Sequence, residues 1–208
     1  MGRPPAGQEV DDSLLLTATL DAFAENGYDG TSVRELSRRL GVSHALLTAR
    51  FGSKEGLWFA AMEHVLSQTK RSWSELAEDH DRDDLDVLRQ GIVHQVTFSA
   101  AHPQLVRIMT HEGAIDSPRM RFIFEYVISP LRAPLEQRLN RLIDEGRIRP
   151  VPYATLHYLV VQGSGGPYAS PVESALLGVP RPPTPEDVRR HAELVADIIV
   201  TGLSATPD

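Results

Sequence analysis

Apolar residues recur at intervals of three and four along most of the 208-residue chain. Near the N-terminus Leu15, Ala18 and Ala22 follow this spacing, and the pair Asn26-Gly27 ends the run. This interval is that of an amphipathic α-helix with one face toward a core. Alternation of apolar and polar residues, the pattern of a half-buried strand, never extends beyond a few residues. The sequence therefore predicts an all-α fold.

Capping residues divide the next part of the chain into short helices. Ser32 is followed three residues later by a glutamate, the spacing of a capping box at a helix N-terminus. Gly41 closes this helix, Ser43 begins the next one, and Ser53 begins another. Short helices joined at a turn that contains glycine form a helix-turn-helix. We therefore expect an N-terminal three-helix domain of this type over residues 11–53.

The rest of the chain, residues 54–208, keeps the helical pattern and is predicted to form a helical bundle. Pro130 and Pro134 are expected to kink one of its helices or to split it near Ser129. The Gly/Pro-rich stretch GSGGPYASPVESALLGVPRPPTP predicts an irregular connector. The predicted helices cover residues 57–78, 84–101, 103–113, 117–145, 153–164 and 185–203.

Composition narrows the class of protein. The formal net charge is −7, which argues against wholesale coating of nucleic acid, and there is no cysteine for a disulfide or a thiolate metal site. No stretch of about 18 residues is both apolar and uncharged, so no membrane span is expected. Residues 1–10 read as a flexible tail without the apolar region of a secretory signal. We expect a cytoplasmic protein with no cofactor and no metal.

Positive charge is concentrated locally. Between Thr31 and Lys54 there are five basic residues and one acidic residue, in a chain that is acidic as a whole. Basic side chains and free N–H groups at helix N-termini bind backbone phosphates. The third helix is predicted to expose a small mixed face that can enter a major groove, opposite buried Leu47 and Phe51. The alternative is a solvated helical corner whose arginines are ordinary surface charge.

The stretch TLDAFAENGYDGTSVRELSRRLGVSHALLTARFGSKEGLW resembles the N-terminal domain of TetR-family transcriptional regulators. In that family a first helix ending in aFxexGy precedes a unit of the form tTsvxdIAxxaGVSxgxlYxhFxsKexL. The resemblance is specific over about residues 13–58. Thr48 departs from the family's usual tyrosine, and Arg50 stands where a histidine is common. The matching residues are Phe23, Gly27, Tyr28, Thr31, Ser32, Val33, Leu36, Gly41, Val42, Ser43, Leu47, Phe51, Lys54 and Leu57.

The resemblance and the local charge together predict a sequence-specific DNA-binding regulator. The family likeness implies a repressor that a small-molecule effector releases from a pseudo-palindromic operator. An activator, or a helical ligand-binding protein that has lost operator binding, remains an alternative. The predicted DNA-contacting residues are Thr31, Ser32, Arg34, Arg39, Ser43, His44, Ala45, Leu46, Thr48, Arg50 and Lys54.

The resemblance also implies an effector pocket enclosed by the central helices. Its candidates are mainly apolar or aromatic with a few polar groups, which is typical of small-molecule sites and favours an apolar or aromatic effector. The same residues are also consistent with ordinary core packing. The candidates are Trp73, His94, Phe98, Met109, Phe124, Val127, Tyr158 and Gln162.

Family members usually dimerise through their last two long helices, so a homodimer is expected here. The apolar stripes on these helices are equally consistent with intramolecular core. The predicted interface residues are Leu156, Leu159, Val160, Gly163, Val188, Ala192, Val195, Ile199 and Leu203.

An enzyme is not expected. The pair His111-Glu112 lacks the second histidine of an H-E-x-x-H zinc motif. The stretch Gly163-Ser164-Gly165 is not the full G-x-S-x-G elbow and follows no predicted strand. There is also no Gly-rich nucleotide-binding motif.

Overall fold

A computed structural model describes residues 11–79 and 81–204 and confirms the all-α fold. Within these ranges the only extended pairing is an isolated bridge between Ile148 and Ser204. The predicted tail, residues 1–10, lies outside the described residues. The helices are α1 (Asp12–Gly30), α2 (Val33–Arg39), α3 (His44–Phe51), α4 (Lys54–Glu78), α5 (Asp84–Ala101), α6 (Pro103–Glu112), α7 (Pro118–Ile123), α8 (Ser129–Asp144), α9 (Tyr153–Ala169), α10 (Pro171–Leu176) and α11 (Pro185–Leu203).

The chain divides into two compact units, with the division between Ser67 and Gln68 inside α4. The domain boundary predicted from the sequence, between residues 53 and 54, coincides with the start of α4 and lies N-terminal to this division. The N-terminal unit extends farther because the first half of α4 is buried within it, including Leu57 and Trp58, each 1% exposed. The other fully or nearly fully buried apolar residues of this unit are Leu15, Leu16, Leu20, Ala22, Phe23, Leu36, Leu47, Ala61, Met62, Val65 and Leu66.

In the second unit α5 is the central helix, since α8, α9 and α11 all pack against it. Ile92 and Val96 of α5 are almost completely buried. The core around them is shared by α8, α9 and α11 and contains Leu139, Leu142, Leu156, Val160, Ala192, Ala196 and Leu203. Among the described residues no helix is both long and apolar enough to cross a bilayer.

The predicted helix over residues 117–145 is divided as the prolines indicate. A π-helical turn, Phe124–Ile128, joins α7 to α8, and the Ser129 N–H donates to the Phe124 carbonyl. Pro130 lacks an N–H, and its ring would clash with a carbonyl one α-helical turn earlier. The π-helical turn is wider than an α-helical turn and ends just before Pro130, so the proline ring avoids this clash. Pro134, in contrast, is accommodated inside α8.

The predicted connector is partly wrong, because α9 continues through Gly163 and Pro167 to Ala169, and α10 follows. The small residues here serve close packing. A Cβ on Gly165 would lie 3.0 Å from a methyl of Val106 in α6 and 3.4 Å from the Ser99 hydroxyl of α5. The glycine therefore lets α9 approach two helices at once, and this packing outweighs its poor helix propensity.

Buried charges connect α5 to α8. The Asp84 carboxylate accepts hydrogen bonds from Arg138, at 2.5 Å, and from Arg141, at 2.7 and 2.8 Å. Arg138 is 5% exposed and Asp84 11% exposed, and Arg138 also donates to the backbone carbonyl of Asp79. Two guanidinium groups thus share one carboxylate, and the pKa of Asp84 is lowered by the Arg141 hydrogen bond first and by Arg138 after it.

Candidate nucleic-acid interface

Two turns place α3 on the surface of the N-terminal unit. Gly41 follows α2 with φ of +68°, a left-handed conformation that glycine adopts without steric strain. The Ser43 side chain then accepts the Leu46 N–H at 3.1 Å and caps α3. At the far end Gly52, with φ of +73°, reverses the chain before α4. The predicted helix-turn-helix is therefore present.

The outer face of α3 is small and mixed, as predicted, but Leu46, predicted to be exposed, and Phe51, predicted to be buried, are both half-buried. His44, Ala45 and Thr48 are exposed, while Leu47 is 1% exposed and anchors the opposite face in the core. The Thr48 hydroxyl donates to the His44 carbonyl at 3.0 Å, so it lies close to the helix backbone. Ala49 is also exposed and belongs to this face. The sequence reasoning missed it, although its position four residues after Ala45 indicates the same side of the helix.

The arginines of the interface form ion pairs within the chain. Arg39 contacts Glu25 at 2.9 Å, and Arg50 contacts Asp12 at 2.6 Å. Exposed pairs of this kind are weak, so a DNA phosphate can replace the carboxylate. Arg34 is exposed and forms no ion pair with the part of the chain that the structure describes. It is therefore the cation most available to a phosphate without rearrangement.

The predicted DNA contact of Thr31 is corrected by its burial. Thr31 is 5% exposed, and its hydroxyl lies 2.7 Å from the Gly27 carbonyl and 3.2 Å from the Ala22 carbonyl. The single hydroxyl hydrogen is thus used inside the unit, where it fixes the turn between α1 and α2. Ser32 is exposed and caps α2 by accepting the N–H of the glutamate at the third helical position.

Lys54 is only half-exposed and already has partners. Its ammonium group lies 4.6 Å from the centroid of the Tyr28 ring and 3.3 Å from the Asp29 carbonyl. The cation–π contact ties the start of α4 to the end of α1. A phosphate contact by Lys54 stays a prediction, and it would require the ammonium to extend beyond these partners.

The effector candidates fall into three groups in the second unit. Trp73, His94 and Phe98 form a row of neighbouring rings. Met109 and Val127 are half-buried. The remaining three candidates are exposed in the chain as described, and their contact with an effector stays a prediction. These are Phe124, 43% exposed, Tyr158, 63% exposed, and Gln162.

Several predicted interface residues belong to the core of the unit itself. Leu156, Val160, Ala192 and Leu203 are at most 8% exposed, so their assignment to a dimer surface is corrected. The others that pack at the edge of that core are Val188, Val195 and Ile199. Leu159, at 54%, and Gly163 remain on the surface. Most of the apolar residues predicted for the interface thus face the core of their own unit.

A different set of apolar residues lies on the outside of the same two helices. On α11 Leu194 is 55% exposed and Ile198 63% exposed, four residues apart on one face. On α9 Tyr158 and Leu159 are exposed beside Gly163. Exposed apolar groups that line up on helices in this way are typical of an interaction surface.

Comparisons with known proteins agree with this geometry. A family profile described as bacterial regulatory proteins, tetR family, matches residues 15–61. The HTH-type transcriptional repressor Rv3405c of Mycobacterium tuberculosis is 36% identical over 67 residues, which is 32% of this chain and 36% of that protein. The match thus spans about a third of the length of that relative.

Two further comparisons cover more of the chain. The HTH-type transcriptional regulator RutR of Escherichia coli is 23% identical over 149 residues, 70% of this chain and 68% of RutR. The solved structure of the ketosteroid transcriptional regulator KstR2 of Mycobacterium tuberculosis superposes with a TM-score of 0.75 at 20% identity, covering 98% of this chain and all of KstR2. This similarity shows that the fold is shared along the chain. Residues 15–61 therefore match the family of bacterial regulatory proteins described as tetR, and the chain as a whole shares its fold with a solved transcriptional regulator.

Proposed function

We propose that this protein is a sequence-specific DNA-binding transcriptional regulator without catalytic activity, which acts in the cytoplasm. The observation that carries the proposal is α3 itself, a capped helix with a small exposed face, in the segment that matches the family profile. Such a helix enters the major groove with its side chains on base edges while neighbouring basic groups contact phosphates. Repression relieved by a small-molecule effector is the mode that we propose.

The second unit supports a homodimer as the active species. A single helix-turn-helix makes few base contacts, whereas two copies related by a two-fold axis read half-sites about 34 Å apart. We propose that Leu159 and Gly163 of α9 meet their counterparts together with Leu194 and Ile198 of α11. Glycine at that position lets two helices approach closely. The operator should then be a pseudo-palindrome.

Footprinting of the purified protein on its own genomic DNA tests this proposal. We expect protected sites with two-fold sequence symmetry and a half-site spacing of about one helical turn. Reporter expression from a protected promoter then separates a repressor from an activator by the sign of the change on deletion. A protein that protects no DNA at low salt, yet is stabilised by a ligand, would support the alternative of a ligand-binding protein without an operator.

Arg34→Ala and Ala45→Asn are expected to change DNA binding in different ways. Removing Arg34 should weaken binding to all sequences and reduce the salt dependence by about one phosphate contact, because phosphates carry no sequence information. Asparagine at position 45 should change the preference at one base pair per half-site by about 1–3 kcal/mol. Binding selection from a random DNA library measures both effects. If the sequence motif selected by Ala45→Asn were the same as that of the wild type, Ala45 would not contact a base.

A further inference from the structure

One face of α5 carries a row of rings in the second unit. The rings of His94 and Phe98 lie 6.4 Å apart, and those of Phe98 and His102 lie 4.6 Å apart. These residues are spaced by four, so they lie on the same side of the helix. Trp73 of α4 extends the row, with its indole 5.6 Å from the His94 imidazole and perpendicular to it. The row is therefore continuous from α4 along α5.

The indole of Trp73 lies directly against the backbone of α5. A Cβ on Gly91 would be 2.8 Å from two atoms of the six-membered ring, closer than non-bonded atoms approach. Only glycine leaves room for an aromatic plane here, although glycine inside a helix costs about 1 kcal/mol relative to alanine. The backbone at Gly91 thus forms a flat surface against which the Trp73 indole packs.

His94 contains a buried polar atom that has no hydrogen-bond partner among the described residues. This atom is Nε2 of the imidazole ring. An unpaired buried polar group is destabilising, whereas an apolar ring of the same shape would fit such a place well. Burial also lowers the pKa of His94. Burial therefore favours the uncharged imidazole, in which one ring nitrogen is a donor and the other an acceptor.

We propose that this ring row, Trp73–His94–Phe98, binds a planar aromatic effector and that His94 Nε2 forms a hydrogen bond to its uncharged hydroxyl or carbonyl oxygen. The inference rests on the proposed function, since it names the chemical class of the effector that the second unit would bind. The hydroxyl or carbonyl oxygen of the effector would be the hydrogen-bond partner that Nε2 lacks, and the faces of the neighbouring protein rings would provide apolar contact. An unpaired carboxylate would be disfavoured because an uncharged imidazole cannot compensate its desolvation.

The ligand must displace part of the row in order to reach Nε2. This atom is buried, and the Trp73 indole packs perpendicular to the imidazole with 5.6 Å between the ring centroids. We therefore expect the indole to move away from Gly91 when the ligand binds. Binding should change tryptophan fluorescence, and Trp73→Phe should remove most of that change.

Three probes of one shape test the proposal on the full-length protein: 2-naphthol, naphthalene and 2-naphthoate. Titration calorimetry and tryptophan fluorescence should show 2-naphthol binding at least about tenfold more tightly than the other two. In His94→Phe the advantage of 2-naphthol over naphthalene should disappear. Without ligand this variant should melt at a higher temperature than the wild type, because the unpaired nitrogen is gone.

His191→Phe is the matched control. Its Nε2 is also buried without a partner among the described residues, but it lies beside Tyr168, 5.9 Å between ring centroids, and outside the row. It should raise stability similarly and leave 2-naphthol binding unchanged. Equal binding of all three probes, no binding of 2-naphthol, or wild-type selectivity in His94→Phe would overturn the proposal. Operator binding without ligand is measured in parallel, so that failure of DNA recognition is seen separately.

Discussion

Replacing Leu194 and Ile198 together by aspartate is expected to make the protein monomeric and to lower operator affinity by about 100-fold or more. Both side chains are more than half exposed in the chain, so the change leaves the intramolecular core intact. Four unpaired carboxylates in a two-fold interface would be strongly destabilising. Each monomer would then bind one half-site only. Sedimentation velocity and operator titration measure the two effects.

Ile115→Asp is a suitable control for this double substitution. Ile115 is 41% exposed and lies in the segment between α6 and α7, so it belongs to neither helix of the proposed interface. It should leave the oligomeric state and operator affinity unchanged. A double variant that remained dimeric would show that the subunits meet through another surface.

Asp84→Asn is expected to destabilise the second unit by about 3 kcal/mol. The substitution keeps the shape of the side chain but removes a carboxylate that accepts a hydrogen bond from the nearly buried Arg138 at 2.5 Å. A buried cation without its counter-charge is far less stable than the pair. Chemical denaturation at one fixed protein concentration measures the change, since dimerisation would otherwise alter the apparent stability.

Two comparisons make this experiment specific. Asp116→Asn removes a carboxylate that is 81% exposed and paired with Arg121, and its effect should stay below about 1 kcal/mol. Adding Arg138→Met to Asp84→Asn should recover part of the loss, because no unpaired charge is then buried. If Asp116→Asn and Asp84→Asn lowered the free energy of unfolding equally, the Asp84 contacts would contribute little to stability.

Acid should weaken the same region of the molecule. The pKa of Asp83 is lowered to about 2, primarily by a hydrogen bond from Arg147, and that of Asp84 is lowered by Arg141 and Arg138. A depressed folded-state pKa gives stability that is fully present above the ordinary value of 3.8. It is lost as the pH falls through the lower folded-state value. Asp84→Asn should therefore show a shallower loss of stability in acid than the wild type.

The start and end of helices could be predicted from local chemistry. Ser43 and Gly41 fix the turn before α3 through a side-chain cap and a left-handed backbone, both properties of single residues. Pro130 likewise indicated the break before α8. The exposed and buried faces of α3 followed from a period of 3.6 residues once its length was known.

The length of α9 and the direction in which the apolar faces of α9 and α11 point depend on tertiary packing, so they could not be predicted from the sequence. The run around Gly165 reads as a connector because glycine and proline disfavour helices, yet contacts with Val106 and Ser99 stabilise α9 there. Apolar stripes on α9 and α11 were assigned to a dimer, although a stripe is the same whether it faces its own chain or another. Ala192, which is completely buried, illustrates that ambiguity.

The sequence predicted which residues belong to the candidate DNA site, but it did not predict the ion pairs and hydrogen bonds that these residues form within the chain. Arg50 lies far from Asp12 in sequence, and only the fold brings the two side chains to 2.6 Å. Thr31 matches the family pattern, and its hydroxyl nevertheless serves the turn inside the unit. Motif matching identifies which positions belong to a domain, whereas burial decides which of them reach a partner.

The π-helical turn at Phe124–Ile128 has a consequence for changes in chain length. Its carbonyl accepts from the fifth residue along instead of the fourth, so the turn contains one residue more than an α-helix needs. Deleting one residue there would restore the spacing of an α-helix, so the Pro130 ring would oppose a carbonyl one turn earlier, and α7 would rotate by about 100° relative to α8. Ile123 of α7, which is 0% exposed, would then turn out of the core. The extra residue thus keeps Ile123 buried although a proline stands in the first turn of α8, and a single-residue deletion at this turn is expected to destabilise the second unit.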